Sequence, residues 1–309
     1  MPGWRHHGLI KIRTTYMQNN VFSYTARNLQ KEGETTMFKK YLILTLLILG
    51  FTFQISFAES IKFKSTQKGI DGNPLLLTGV LTKPEGHGPF PAIVLLHGWC
   101  GPEFGKPRST AWSSRLVDWG YVTLQLDSFG SRNVSNDCSD KTELFLLSLA
   151  SVKDAYDAKD YLAEIPYIDR NRIALLGWWL GGHTSLYVLS KQIKPQSKET
   201  PFKAGIAFYP YCDMPLYNLN APLLILIGEF DDLTLAKWCS EMMPPEQSDL
   251  EIILKIYSGA YHDFDWEGTD ELYEGHRLLY DPIAAQNAII QVKSFLAKHL
   301  KGILHKNSD

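Results

Sequence analysis

Low-complexity tracts, internal repeats and blocks of like charge are all missing from this chain of 309 residues. Its 31 basic and 33 acidic side chains leave a formal net charge of −2. No clustered basic face stands ready to hold a phosphate backbone, so no nucleic-acid partner is expected. Cysteines number four (Cys100, Cys138, Cys212 and Cys239), and no two stand in C-x-x-C spacing. A zinc centre is therefore not expected, and neither is any other metal. The main apolar run, Tyr41 to Phe57, falls short of the ~20 residues a membrane span needs and carries Gln54 and Ser56.

That run has a different use. Met37-Phe38-Lys39-Lys40 precedes it, and Ser56-Phe57-Ala58 places small residues before Glu59. A basic start, an apolar middle and a small-residue exit describe a secretory signal. The expected organisation is a mis-assigned leader over 1–36, a true start at Met37, a signal peptide over 37–58 and one domain over 59–309. The product is then periplasmic or secreted, with no stable membrane span after cleavage. An oxidising compartment permits two disulfides. Four buried thiols are the other reading, since cysteine is among the most buried residue types. If bridges form, Cys212 at a strand end and Cys239 on the following helix are the pair that the predicted elements favour.

Past residue 59, short apolar runs bounded by Gly, Pro and Asp recur: Leu75–Leu81, Ala92–Leu96, Tyr121–Leu126, Ile173–Leu176, Ala204–Tyr209, Leu223–Ile227 and Ile252–Ile256. Continuous apolar runs of this length fit strands buried on both faces. Helical patterns over Thr142–Glu164, Gly182–Lys191 and Pro282–His299 alternate with them. The expected fold is α/β: a mostly parallel sheet of about eight strands with helices on both faces. In such sheets ligands sit at the carboxyl ends of the strands.

Four strand ends carry chemistry. Gly177-Trp178-Trp179-Leu180-Gly181 lies between a strand and a helix. That is the context of a nucleophile elbow, in which glycines let the backbone pass close to a strained central residue. The central residue here is Trp179. His97-Gly98-Trp99 follows another strand and is placed to supply one oxyanion-hole amide from Trp99; Leu180, next to the elbow residue, supplies the other. His97 itself is expected to shape its loop. Gly228-Glu229-Phe230-Asp231-Asp232 closes a third strand. Asp231 is the expected acid, and Asp232 the expected cap of a helix near Leu233. His262, on the loop after the last core strand, is the expected general base. The order elbow, acid, histidine is that of α/β-hydrolases.

LLHGWCG, LDSFGSR, LLGWWLGG, IGEFDD and YSGAYHDFDW together resemble the dienelactone hydrolase family of α/β-hydrolases, from roughly Ile61 to the C-terminal helix. The resemblance implies a hydrolase of small carboxylic esters or lactones, working without a cofactor through a Cys or Ser at the elbow. It implies Asp231 and His262 as acid and base, and it places Arg132 near the substrate. There Arg132 could pair with a substrate carboxylate; bracing of its own loop is the other reading.

Trp179 departs from that pattern. An indole offers only a weak N–H donor and cannot attack a carbonyl. Three accounts stay open: a recent change from Ser or Cys, a settled pseudo-enzyme that binds a ligand or partner without turnover, or a substitute nucleophile such as Cys100. Ser185, inside the elbow helix, is expected to face packing. The segment Glu267–Tyr280, rich in charge and aromatics, reads as a solvated loop in preference to a lid.

Overall fold

The computed structural model describes residues 57–69, 71–98, 100–132, 134, 141–192, 201–216, 218–244 and 250–302, with 57 and 141–145 in backbone only. The expected leader (1–36) lies outside them, as does the signal segment 37–58 apart from Phe57 and Ala58. Trp99 and Cys138 also lie outside.

Eight strands form one sheet in the order β1-β2-β4-β3-β5-β6-β7-β8. They are β1 (Phe57–Lys68), β2 (Pro74–Lys83), β3 (Phe90–Leu96), β4 (Val122–Asp127), β5 (Ile168–Trp178), β6 (Gly205–Phe208), β7 (Leu223–Gly228) and β8 (Ile252–Tyr257). The β1–β2 and β2–β4 pairings are antiparallel, and every pairing from β4 through β8 is parallel. Strand β7 is buried along its whole length, and β3 along all but its first residue. That burial on both faces is why their sequences are unbroken apolar runs.

Helices α1 (Gly101–Phe104), α2 (Lys106–Asp118), α3 (Lys141–Ala163), α4 (Leu180–Leu189), α5 (Ala236–Glu241) and α6 (Pro282–Lys301) connect or follow the strands. Asp281 caps α6, its side chain accepting from the Ile283 and Ala284 N–H groups, and Gly302 ends that helix in the left-handed conformation. None of the helices among the described residues is long and apolar enough to cross a membrane.

Strand β1 has no continuous apolar run because it alternates. Ile61, Phe63 and Ser65 are buried while Lys62 and Lys64 are exposed, the period-two pattern of a strand with one solvated face. Helix α3 covers its inner face. Asp157 accepts from the Ser65 hydroxyl at 2.6 Å and the Thr66 amide at 2.9 Å. The segment expected as a solvated loop is instead a hairpin, β9 (Asp270–Tyr273) and β10 (His276–Leu279). Gly275 allows its turn with φ of 89°.

The chain crosses from β3 to β4 on one side and places β5 on the other. That reversal opens a crevice at the carboxyl ends of the central strands, where α/β sheets hold their ligands. His97, Trp179, Asp231 and His262 all follow strands at this edge.

Candidate active site

Trp179 joins β5 to α4 with φ 49° and ψ −107°. A β-carbon in this region costs about 1–3 kcal/mol, so the surroundings must impose the conformation. They do so by close packing. A Cβ on Gly177 would lie 2.1 Å from the Gly181 carbonyl oxygen, and one on Gly181 would lie 2.2 Å from that of Leu96. Only glycine fits at either place. The Trp179 amide donates to the Phe208 carbonyl at 3.0 Å, and its own carbonyl accepts from the His183 amide at 2.8 Å. Strand and helix are thereby fixed on either side of the turn.

Asp231 and His262 come together from the ends of β7 and β8. The His262 Nδ1 proton is donated to Asp231 Oδ2 at 2.7 Å, and their side chains are fully shielded from solvent. The other Asp231 oxygen accepts the Leu233 and Thr234 amides at 3.1 and 2.8 Å, and the Thr234 hydroxyl donates to Oδ2 at 3.0 Å. Asp231 thus does two jobs, orienting the imidazole and closing its own turn. This corrects the expectation for Asp232. The helix starts later, at Ala236, and Asp232 pairs with His276 at 3.1 Å.

The two loops meet because Gly228 leaves room. A Cβ there would stand 2.3 Å from the Ala260 carbonyl oxygen, which accepts the Phe230 amide at 2.9 Å.

Among the described residues, His262 Nε2 is buried without a hydrogen-bond partner. The half-buried Trp179 indole meets the imidazole edge to face, ring centroids 5.1 Å apart, and Tyr273 from the hairpin meets the indole in turn at 5.7 Å. Hairpin and histidine loop are also joined through main chain, since the Leu279 amide donates to the His262 carbonyl at 3.1 Å. Burial alone would depress the basicity of His262. The Asp231 carboxylate, by charge and hydrogen bond, and then Asp263 outweigh it, while Arg108 opposes them. The imidazole therefore titrates above its ordinary value.

His97 is a loop-shaping residue, as expected. Its Nδ1 donates to the Gly98 carbonyl at 2.9 Å and its Nε2 accepts the Ser128 amide at 3.4 Å. Burial holds its basicity down, which favours this neutral tautomer. Leu180 is buried beside Phe129 and Leu147, an apolar wall next to the elbow.

Arg132 sits with both terminal nitrogens on Asp154, at 2.8 and 2.9 Å, and one of them also on the Ser128 carbonyl at 2.6 Å. Its fork is occupied by the protein, which is the bracing arrangement. Cys100 is disulfide-bonded, so its thiol is not free to act as a substitute nucleophile. The Ser185 hydroxyl is fully buried and donates to the Gly181 carbonyl at 2.8 Å. Cys212 and Cys239 are bridged, the favoured pair.

A group that sequence reasoning missed surrounds the imidazole. Tyr209 lies under it with ring centroids 4.3 Å apart, and its carbonyl oxygen stands 3.1 Å from the Thr234 hydroxyl oxygen. The Tyr209 hydroxyl accepts from Arg108 Nη1 at 2.8 Å and donates to Asp265 Oδ1 at 2.7 Å. Asp263 and Asp265 were visible in the YHDFDW motif without a role. Arg108 left no signal, because a lone arginine in a helix reads as solvated surface. No cluster of potential metal ligands occurs among the described residues.

With this geometry in view, similarity to known proteins adds the lineage. The family model described as "Dienelactone hydrolase family" matches residues 77–300. Protein usf of Aquifex pyrophilus is 23% identical over 233 residues, spanning 74% of this chain and 96% of its own. Among solved structures, the dienelactone hydrolase-like promiscuous phosphotriesterase P91 from metagenomic libraries superposes with a TM-score of 0.59 at 22% identity, covering 78% of this chain and 98% of its own. Thermogutta terrifontis esterase 2, phosphoramylated by tabun, gives a TM-score of 0.54 at 19% identity over 78% and 94%. The eight-stranded, mostly parallel sheet is shared α/β-hydrolase architecture, and this chain belongs to the dienelactone hydrolase family.

Proposed function

We propose that this chain is an exported hydrolase of small carboxylic esters or lactones by descent, with Trp179 standing where the nucleophile acts in its relatives, so that turnover is severely reduced. The observation that carries the reading is His262. Its Nδ1 is held by Asp231 while its Nε2 is buried, unpartnered and beside the strained elbow residue. A nitrogen in that state loses hydrogen-bonding free energy that a neighbouring hydroxyl or thiol would recover. The disulfides at Cys100 and Cys212–Cys239 support a location outside the reducing cytosol. With the Arg132 fork engaged by Asp154, that guanidinium is not free for a substrate carboxylate, which favours an uncharged acyl group over a carboxylate-bearing one.

A chromogenic short-chain ester assay on the protein beside Trp179→Ser and Trp179→Cys tests this. Loss of a triad nucleophile costs roughly 10⁶ in kcat, so restoring one is expected to raise the rate by at least about 10³. A fully active parent protein would show that Trp179 is not the nucleophile position. Inert variants favour the second reading, a non-catalytic binding protein. The aromatic contact of Trp179 with Tyr273 supports that alternative, since it roofs the histidine with a ring suited to stacking on a planar ligand.

A further inference from the structure

Arg108 is 5% exposed, a burial that an arginine rarely accepts unless it is paired. Its Nη1 forms an ion pair with Asp263, the residue after His262, and donates to the Tyr209 hydroxyl at 2.8 Å. The guanidinium lies 4.9 Å from the ring centre of Trp266 and 5.4 Å from that of Trp178. Trp178 immediately precedes the elbow residue, and its indole N–H donates to Asp265 at 3.1 Å. Asp265 also accepts from Trp112 at 2.9 Å and from Tyr209 at 2.7 Å.

Two of these groups flank His262, one along the chain and one against its ring. Asp263 holds a left-handed backbone, φ 57°, next to His262, and aspartate adopts that conformation with less strain than most residues. Tyr209, itself at φ 36°, lies against the imidazole ring. Both strained residues are tied to one guanidinium. We propose that Arg108 is a positioning residue for His262, clamping the histidine loop through Asp263 and the ring beneath it through Tyr209. The inference rests on His262 being the base of the hydrolytic site, as read above.

The charged and titratable groups around His262 are Asp231 from the end of β7, Asp263 on its own loop, Arg108 from α2 and Tyr209 from the end of β6. The β9–β10 hairpin contributes main chain there, and the turn between β5 and α4 contributes the uncharged Trp179. Arg108 opposes protonation of the imidazole, and Asp263 favours it. Removing either one should therefore move the titration of His262 in opposite directions, which a merely structural role would not do.

The titration of the His262 ring followed by NMR in the intact protein reads this without any turnover. In Arg108→Gln the midpoint is expected to rise, in Asp263→Asn to fall, and in the double variant to return toward the parent. In a Trp179→Ser background, Arg108→Gln is expected to lower kcat roughly tenfold to a hundredfold, the scale of a small misplacement of a reacting group, with KM little changed. Arg108→Lys keeps the charge but not the fork and should recover part of the loss. A folded Arg108→Gln protein with an unmoved midpoint overturns the proposal. If the arginine variants do not fold, an unmoved midpoint in Asp263→Asn overturns it equally. Failure of Trp179→Ser to turn over any ester would count against the hydrolase reading, while the titration still decides the role of Arg108.

Discussion

The Trp179 indole stands edge to face against the His262 imidazole, ring centroids 5.1 Å apart and planes inclined by 74°. One partner is an elbow residue in a strained backbone conformation and the other a fully buried histidine held by a carboxylate. Geometry of this kind is preserved at a cost, since strain persists only where the surroundings over-determine it. The elbow, the acid and the histidine are all assembled around a side chain that cannot attack a carbonyl.

The charge balance at His262 makes a pH dependence that can be measured. A base must be unprotonated to work, so ester hydrolysis by Trp179→Ser is expected to rise with pH. Its midpoint should lie above the ordinary histidine value of about 6.5, because the folded imidazole titrates high. The stability effect has the opposite sense. A group with a raised folded pKa stabilises fully below its unfolded pKa, and that contribution is lost as pH climbs through the folded value. Asp231→Asn removes the charge that does most to raise the imidazole against its burial, so the midpoint of the pH–rate profile should fall. The rate should drop by about 10⁴, as when the orienting carboxylate of a triad is neutralised.

Gly177 and Gly181 are predicted to be irreplaceable for the fold as well as for the site. An added methyl on either meets backbone rather than a flexible side chain, at 2.1 and 2.2 Å. Overpacking in a rigid interior costs typically about 1–3 kcal/mol, and backbone obstruction places these changes at the upper end or beyond. Urea denaturation of Gly177→Ala and Gly181→Ala should show lowered midpoints. Gly259→Ala is the control. Nothing lies within 4 Å of a Cβ there, so its cost should be confined to the strain of its positive φ.

The bridge between Cys212 and Cys239 closes a loop with a sequence separation of 27. Loop-closure entropy for that length amounts to about 3.5 kcal/mol. Cys212→Ala/Cys239→Ala is expected to lower the thermal midpoint by several degrees or more, measured by calorimetry. Reducing agent should shift the parent protein in the same direction and leave the midpoint of the double variant less affected. A parent indifferent to reductant while the bridge is demonstrably broken would remove this contribution.

Much of this was legible along the chain because the signals are local. Strands β3 and β7, and β5 from Ile173 onward, are continuous apolar runs, since burial on both faces leaves no place for a polar side chain. The glycines at 177 and 181 mark a turn that no other residue permits. Asp231 and His262 announce themselves as the residues that follow strands, in the right order. The Cys212–Cys239 pair was favoured from the predicted elements, with buried free thiols left equally open, and the folded chain forms the bridge.

What misled or stayed silent has a common cause. Strand β1 alternates lysines with buried residues and lacks an apolar run, so its place is settled by pairing with β2 and by Asp157 from α3. The charge and aromatics of β9 and β10 carry no period of their own, and the hairpin's place is settled by Tyr273 against Trp179. Asp232 has the position of a cap, but Asp231 has the oxygens in reach.

By itself, the amino-acid order determined the α/β architecture, the glycine-flanked turn that carries Trp179 and the strand ends that carry Asp231 and His262, because periodicity, glycine and strand-end placement are properties of neighbouring residues. The tertiary structure alone decided that Arg132 braces Asp154 and that Arg108, 155 positions from Asp263, clamps the histidine loop. A long charged side chain carries no mark of its partner. Its role is set by which carboxylate the folded chain brings within bonding distance and by how completely water is kept away from the pair.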